Sequence, residues 1–279
     1  RQADEELRLL QAMTLETLGP RHRDAASSWN SMGIIAWERG DYDTAVRDVA
    51  RAVGIWRANE SLQILPGGLF NYGMVLHSAG RHDEALAALE ESRRMRVDTI
   101  GASHALIGET DRMIGEVLAA KGDLEGATER FDRAVRLTRV GFGPEHPRTW
   151  FAELSMARHQ TRLGRPQEAL AALETLARHE GGGSEAPKLR WLARGYQAEA
   201  RCRMGERERA QRDLDALAAA DAFRWNCAGI SGGTTAACLA PRQYMVTVNT
   251  DAGIASAQCT PNPVTHGSSA SCTATVHDP

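Results

Sequence analysis

The sequence predicts a mainly α-helical protein, an α-solenoid of stacked helix pairs followed by a small β-rich tail. Three observations carry this prediction: a glycine that recurs every 40 to 42 residues, an alanine five residues after each glycine, and a change of composition near residue 222. The glycines are Gly40, Gly80, Gly122, Gly164 and Gly205, and the alanines are Ala45, Ala85, Ala127, Ala169 and Ala210. Such regularity is typical of helical repeats, in which each unit packs on its neighbours.

Each unit is predicted to contain a helix, a tight turn and a second helix packed closely on the first. Glycine permits the turn, and alanine lets two helices approach. Four residues beyond each alanine, on the same helical face, lies a large apolar residue: Val49, Leu89, Phe131, Leu173 or Leu214. Seven residues before each turn glycine lies another small residue: Gly33, Gly73, Gly115, Ala157 or Ala198. The pattern predicts one half repeat and five helix pairs over residues 1–222.

This order of columns resembles the tetratricopeptide repeat, most closely in "WNSMGIIAWERGDYDTAVRDVARAV" and "MIGEVLAAKGDLEGATERFDRAV". The period exceeds the usual ~34 residues of that repeat. The excess lies in three linkers, "LGPRH" at residues 18–22, "IGASH" at 100–104 and "FGPEH" at 142–146. They resemble the linkers of the bacterial kinesin light chain-like subclass, in which glycine ends a helix and proline blocks its continuation.

The resemblance implies that the first helix of each pair lines a concave groove that binds a protein or peptide segment. We call the implied lining residues the groove positions. They are Asn30, Ile34 and Trp37; Phe70, Met74 and His77; Arg112, Glu116 and Ala119; and Leu154, Arg158 and Thr161. Trp37 and His77 are the leading candidates. Ordinary packing between helices is the alternative for each residue, because a slip of one residue turns it by ~100° around its helix.

Composition argues against several classes of partner. The net charge of −3 and the pI near 6.3 give no general attraction to nucleic acid, and no run approaches the ~20 apolar residues of a membrane span. No cofactor motif is present. Of nine histidines, His22, His104 and His146 share one linker column and the others lack metal-ligand spacing, so no metal site is predicted.

Two short motifs resemble catalytic ones but lack the required partners. His22-Arg23-Asp24 is similar to a protein-kinase triplet, yet Trp29 stands where asparagine is needed. The glycines and threonines around Ser231 do not favour the helix that a nucleophile elbow requires. The sequence therefore predicts a non-catalytic scaffold or adaptor. Two alternatives stay open: a regulatory region of a larger bacterial serine/threonine kinase, and a secreted, surface-attached binding protein. Because the sequence starts at Arg1 without methionine or signal peptide, we expect a fragment or a processed product.

Residues 223–279 differ from the rest, with four charged residues in 57 positions. "YMVTVNT" and "SCTATV" alternate as short strands do, and the segment resembles small β repeats of bacterial secreted and surface proteins. Its cysteines, Cys227, Cys238, Cys259 and Cys272, favour an oxidising compartment. Cys227 with Cys238 and Cys259 with Cys272 is the predicted pairing, although the sequence allows three connectivities. Cys202 is predicted to be buried and reduced. The junction near Ala222 also fits an artefact of gene assembly.

Overall fold

A computed structural model describes the chain over residues 2–178 and 186–219 and in four short strands beyond them, with side chains described at residues 9, 11–178 and 186–217. These residues form eleven helices. They are α1 (Gln2–Leu18), α2 (Arg23–Glu38), α3 (Tyr42–Ala58), α4 (Leu65–Ser78), α5 (His82–Ile100), α6 (Ala105–Lys121), α7 (Leu124–Gly141), α8 (Pro147–Arg162), α9 (Pro166–Ala177), α10 (Ala186–Arg203) and α11 (Arg207–Ala219). The predicted mainly α-helical class is confirmed.

The chain divides into two compact units, Arg1–Leu137 and Thr138–Pro279. In the first unit α2 packs on α3, α3 on α4, α4 on α5 and α5 on α6. In the second unit α8 packs on α9, α9 on α10 and α10 on α11. Within each of these two runs, every helix therefore packs on the next one, as expected for consecutive helix pairs.

The four strands are β1 (Thr235–Leu239), β2 (Met245–Asn249), β3 (Ile254–Gln258) and β4 (Thr273–Val276). β1 pairs antiparallel with β2, and β3 pairs antiparallel with β4. A β-rich domain over residues 223–279 stays a prediction. Its four cysteine side chains and the serine motif lie outside the residues whose side chains the structure describes. Cys202 is a free thiol, as predicted, but it is half-buried and not buried.

Close contact between paired helices is established at the small residues that the sequence singles out. A Cβ atom added to Gly33 would lie 2.5 Å from Val49 Cγ2, and one added to Gly73 would lie 2.4 Å from Leu89 Cγ. Neither space admits a methyl group unless the facing residue shifts. Val49 and Leu89 belong to the predicted apolar column and are fully buried. The predicted glycine and apolar columns are therefore the two sides of one helix contact.

The turn glycines adopt the backbone conformation that the sequence predicts. Gly40, Gly80, Gly122, Gly164 and Gly205 all have φ between 77° and 88°. Gly122 shows the reason, because its N–H donates to the carbonyls of Ala119 and Leu118 in a left-handed cap that closes α6. A side chain with a Cβ is strained at such a φ, so glycine ends the helix with little strain.

The shared histidine column of the linkers has a structural role at the start of helices. The Nδ1 atoms of His22, His104 and His146 accept from the backbone N–H two residues later, at 3.2, 3.1 and 3.1 Å. Each histidine is the N-cap of its helix, α2, α6 or α8. The triplet at residues 22–24 is thus a helix cap, which satisfies a backbone donor that the helix leaves unpaired.

A buried carboxylate joins three helices of the first unit. Asp111 on α6 is fully buried, and its Oδ1 accepts from Arg93 Nε of α5 at 2.7 Å and from Arg130 Nη1 of α7 at 2.9 Å. Arg133 Nε of α7 lies 3.0 Å from its Oδ2. Arg130 also donates to Glu90 of α5 at 2.7 Å. Asp111 therefore holds α5 and α7 against α6 by charge.

The repeat positions of Asp111 and Arg133 hold Trp29 and Arg51 in the first helix pair. Trp29 stands four residues before Gly33, as Asp111 does before Gly115. The Arg51 guanidinium lies 4.0 Å from the centre of the Trp29 ring, an arrangement typical of a cation–π contact. Arg51 and Arg133 each follow their partner by 22 residues, so one arginine column serves an aromatic face in one unit and a carboxylate in another.

We predict that Gly73→Ala lowers the free energy of unfolding by about 1–3 kcal/mol, because its methyl group would overpack the contact with Leu89. Gly54→Ala is the matched control, since Gly54 lies inside α3 with no atom within 4 Å of an added Cβ. It should stabilise by about 0.5–1 kcal/mol. Urea denaturation followed by circular dichroism measures both. Equal effects of the two changes would contradict the assigned helix contact.

We predict that Asp111→Ala destabilises the protein by about 3–5 kcal/mol, because it leaves three guanidinium groups without their shared carboxylate. Arg133→Ala is the comparison, since the Arg133 side chain is 34 % exposed and two arginines remain on Asp111. Its cost should be about 1 kcal/mol or less. If Asp111→Ala proved as mild as Arg133→Ala in the same denaturation experiment, the cluster would not hold the helices together.

Candidate functional site

The groove positions of the first unit lie on α2, α4 and α6, and α4 contacts both of the other two helices. Most of these side chains are half-buried. They are Asn30, Ile34, Trp37, Phe70, Met74, Arg112, Glu116 and Ala119. His77 differs, because it is only 5 % exposed. The half-buried groove positions of the first unit therefore lie on three helices, of which α4 contacts the other two.

Trp37 joins α2 to α4. Its indole Nε1 donates to Ser78 Oγ at 2.7 Å, and Ser78 Oγ donates in turn to the Met74 carbonyl at 3.2 Å. Ile34, Trp37 and Met74 all pack partly against the hydrophobic core of the unit. One side of each is thus held by protein while the rest stays accessible. This arrangement suits an apolar anchor, because the ring is fixed before a ligand arrives.

A pair of amides also links α2 and α4. Asn71 Nδ2 donates to Asn30 Oδ1 at 3.1 Å, and both side chains are half-buried. This hydrogen bond uses one of two donors on Asn71 and one lone pair on Asn30, so each amide has further capacity. The pair can therefore take part in hydrogen bonds to a peptide backbone.

Phe70 is oriented by an arginine of α5. The Arg96 guanidinium lies 5.1 Å from the centre of the Phe70 ring. Arg96 Nη1 also donates to Thr110 Oγ1 at 2.7 Å and to the Leu106 carbonyl at 3.1 Å, both on α6. Phe70 is consequently held near the α5–α6 connection, and ordinary packing between helices accounts for part of its role.

Charged groups surround the turn between α4 and α5. Arg81 donates two hydrogen bonds to Glu84, at 2.7 and 2.6 Å, which hold the pKa of that carboxyl below its usual range. A hydrogen bond from Lys121 of α6 similarly lowers the pKa of Asp83. Both carboxylates therefore stay ionised over a wider acidic range than free side chains do.

The groove positions of the second unit are enclosed. Leu154, Arg158 and Thr161 on α8 are 3 %, 4 % and 1 % exposed. The Arg158 guanidinium lies 5.1 Å from the centre of the Tyr196 ring of α10. These side chains pack between helices and are not accessible to a ligand. Among the residues whose side chains are described, the accessible groove positions therefore all lie in the first unit.

Two residues that complete the site, Asn71 and Ser78, are not among the groove positions predicted from the sequence. Each stands one residue after a predicted position on α4, and each bonds to a residue of α2 that lies 41 residues earlier. The repeat at this point is 40 residues long, between Gly40 and Gly80. A search for partners at the repeat length plus one would have found both.

The described residues also line a cavity that lies outside the groove positions. A cavity of about 420 Å³ lies between α3 and α4, lined by Asp43, Arg47, Tyr72 and Arg81 among others. Within the described part of the chain there is no group of three or more His, Cys, Asp or Glu side chains that could hold a metal ion. No helix in that part is both long and apolar enough to cross a membrane.

Family models agree with the helix pairs. Two models, both described as tetratricopeptide repeat, match residues 30–96 and 106–178. The chain therefore contains tetratricopeptide repeats.

Sequence relatives share only part of the chain. It is 27 % identical over 114 residues to RxLR effector protein SFI4 of Phytophthora infestans. The aligned residues cover 41 % of this chain and 34 % of that protein. It is 26 % identical, also over 114 residues, to secreted RxLR effector protein RXLR-C07 of Plasmopara halstedii, which covers 41 % and 35 %. The chain thus spans about a third of the length of the curated relatives it matches.

Solved structures share the fold at low identity. A kinesin light chain protein of Podosopora anserina with nearly identical TPR-like repeats matches with TM-score 0.54 and 21 % identity, covering 70 % of this chain and 94 % of that one. BtubC (BKLC) of P. vanneervenii matches with TM-score 0.57 and 14 % identity, covering 77 % and 87 %. The Rap conjugation gene regulator of plasmid pLS20, solved with the Phr* peptide, matches with TM-score 0.55 and 14 % identity. The match covers 69 % of this chain and 52 % of that one. These likenesses confirm a tetratricopeptide-type fold.

Proposed function

We propose that this chain of tetratricopeptide repeats is a non-catalytic scaffold or adaptor, which binds a peptide segment of a partner protein along α2 and α4. The observation that carries the proposal is the row of half-buried apolar side chains, Ile34, Trp37 and Met74, on two neighbouring helices. Apolar side chains held on one side by protein and accessible on the other are suitable anchors for a ligand.

Trp37 is the principal anchor in this proposal. Its indole is large, and its hydrogen bond to Ser78 fixes the ring across the α2–α4 contact. A fixed aromatic ring loses little conformational freedom on binding, so more of its contact energy contributes to affinity. Met74, one turn before Ser78, adds a flexible apolar surface that adapts to side chains of different shape.

Polar groups of the site give a bound segment its direction. The Asn30 and Asn71 amides can pair with backbone groups of an extended peptide, since peptide N–H and C=O groups need partners when they leave water. Arg112 and Glu116 lie one turn apart on α6 and add both signs of charge at the third helix. A peptide with apolar side chains followed by charged ones fits this order of groups.

The solved complex of the Rap regulator supports the proposal at the level of fold, because a protein of similar fold binds a peptide. His77 and Arg158 enter the proposal only as buried supports of the helices, given their low exposure. Leu154 and Thr161 are enclosed in the same way. The other groove positions, all in the first unit, contact the ligand directly.

A secreted binding protein is the second proposal. It is supported by the name of the Plasmopara halstedii relative and by the four cysteines of the tail. The two proposals are compatible, since one concerns the binding surface and the other the compartment. A regulatory region of a larger bacterial kinase stays a hypothesis from the sequence.

We predict that Trp37→Ala weakens peptide binding about thirtyfold, the result of losing an aromatic anchor of about 2 kcal/mol. Peptides are first selected from a library on the full chain, and their affinities are then measured by fluorescence anisotropy. Trp37→Phe should lose less, because it keeps an aromatic ring. Leu62→Ala is the control, since Leu62 is 58 % exposed and is not a groove position.

Unchanged affinity of every selected peptide for a folded Trp37→Ala variant would contradict the proposed groove. Circular dichroism of each variant shows whether the helices are intact. A hydrolytic activity of the chain that Ser231→Ala abolished would contradict the non-catalytic part of the proposal.

A further inference from the structure

Two histidine rings meet across the turn between α4 and α5. The Nδ1 atoms of His77 and His82 lie 3.2 Å apart, the ring centres lie 5.0 Å apart, and the ring planes are inclined by 44°. His77 is 5 % exposed and His82 is half-buried. Two nitrogen ligands are thus held close together at a partly enclosed place.

Packing of the repeat does not require this pair. His77 lies three residues before the turn glycine Gly80, and His82 lies two residues after it. In the other four helix pairs the same two columns hold Trp37 and Tyr42, Ala119 and Leu124, Thr161 and Pro166, and Cys202 and Arg207. Because helix pairs form with such different residues at these columns, the two imidazoles are a property of the second pair itself.

The positions of the rings fit convergence on one point. A straight hydrogen bond between Nδ1 atoms 3.2 Å apart would place the ring centres about 5.5 Å apart. Two imidazoles bound at about 2.05 Å to one tetrahedral ion have nitrogens about 3.3 Å apart and ring centres about 5.2 Å apart. The observed separation of the centres, 5.0 Å, is close to the second arrangement.

The turn fixes the backbone that carries both rings. The Gly80 N–H donates to the His77 carbonyl at 3.1 Å, and the Arg81 N–H donates to the Leu76 carbonyl at 2.9 Å. Burial of His77 fixes one ring further. Ligands held in this way need little reorganisation when an ion binds.

We propose that His77 and His82 form a two-ligand site for a divalent transition-metal ion of the Zn²⁺ class. Imidazole is a good ligand for zinc, copper and nickel ions. In the metal-free pair one ring donates from Nδ1 to the other. On metal binding that ring moves its proton from Nδ1 to Nε2, so both rings stay neutral and both Nδ1 lone pairs bind the ion.

The remaining coordination positions belong to water or to a donor that a ligand brings, because the described residues provide no group of three such side chains. His77 and Trp37 occupy the same column of adjacent repeats, so an ion at His77 would lie beside the groove. A donor from a bound peptide would then complete the coordination. This last step rests on the proposed function, whereas metal binding by the two histidines does not.

The test titrates Zn²⁺ alone into the full chain labelled with ¹⁵N-histidine and follows the ring nitrogens by NMR. Reading individual rings is necessary because the chain has nine histidines and five cysteines. The signals of His77 and His82, assigned from the variants, should move together at one Zn²⁺ concentration. His82→Ala should weaken Zn²⁺ binding at the His77 ring at least tenfold. His104→Asn, which retains a capping acceptor on α6, should leave it unchanged.

Ring signals of His77 and His82 that do not move at saturating Zn²⁺ would overturn the site, and so would equal affinity in folded His82→Ala. If that variant failed to fold by circular dichroism, His82→Gln replaces it with the same expected loss. Peptide binding is not used in this experiment, so failure of the metal site and failure of the groove remain distinguishable.

Discussion

The close approach of paired helices is the constraint on which the structure depends. At Gly33 and Gly73 the facing side chains, Val49 and Leu89, occupy the place where a Cβ would stand, so each packs directly against the backbone of the first helix. That contact fixes which face of each first helix is turned towards its pair mate. The groove positions lie to one side of this contact, since Asn30, Ile34 and Trp37 are about 60°, 100° and 40° from Gly33 around α2. A change at the contact would therefore alter the site without touching any residue in it.

Most of the helical architecture could be predicted, because the residues that define it meet local steric requirements. Turn glycines need a positive φ, and small residues at helix contacts need space, so both leave a periodic trace in the sequence. The three linker histidines were recognised as one column, although their role as N-caps needed the structure. Cys202 was misjudged because a small apolar residue near the end of a helix has no periodic requirement to be buried.

The candidate site was predicted only in part, because its details depend on how two repeats are offset. Trp37 and Asn30 were found, but their partners Ser78 and Asn71 stand one residue beyond the repeat length. Burial of His77 and Arg158 was not foreseen either. The position of a residue in the repeat determines which helical face it occupies. The exposure of that residue depends also on the size of the side chains on the next helix. The meeting of His77 with His82 likewise depends on turn geometry that neither residue reveals alone.

The arginine column that faces Trp29 in one pair and Asp111 in another bears on how such a chain can change by recombination. In each case the arginine and its partner lie on the two helices of one pair, so a duplicated, lost or exchanged repeat carries both groups with it. An arginine in this column can pair with an aromatic ring or with a carboxylate, as the contacts of Arg51 and Arg133 demonstrate. The cation and its counterpart therefore stay matched whichever repeat lies next to them, and this contact does not restrict how the number of repeats varies.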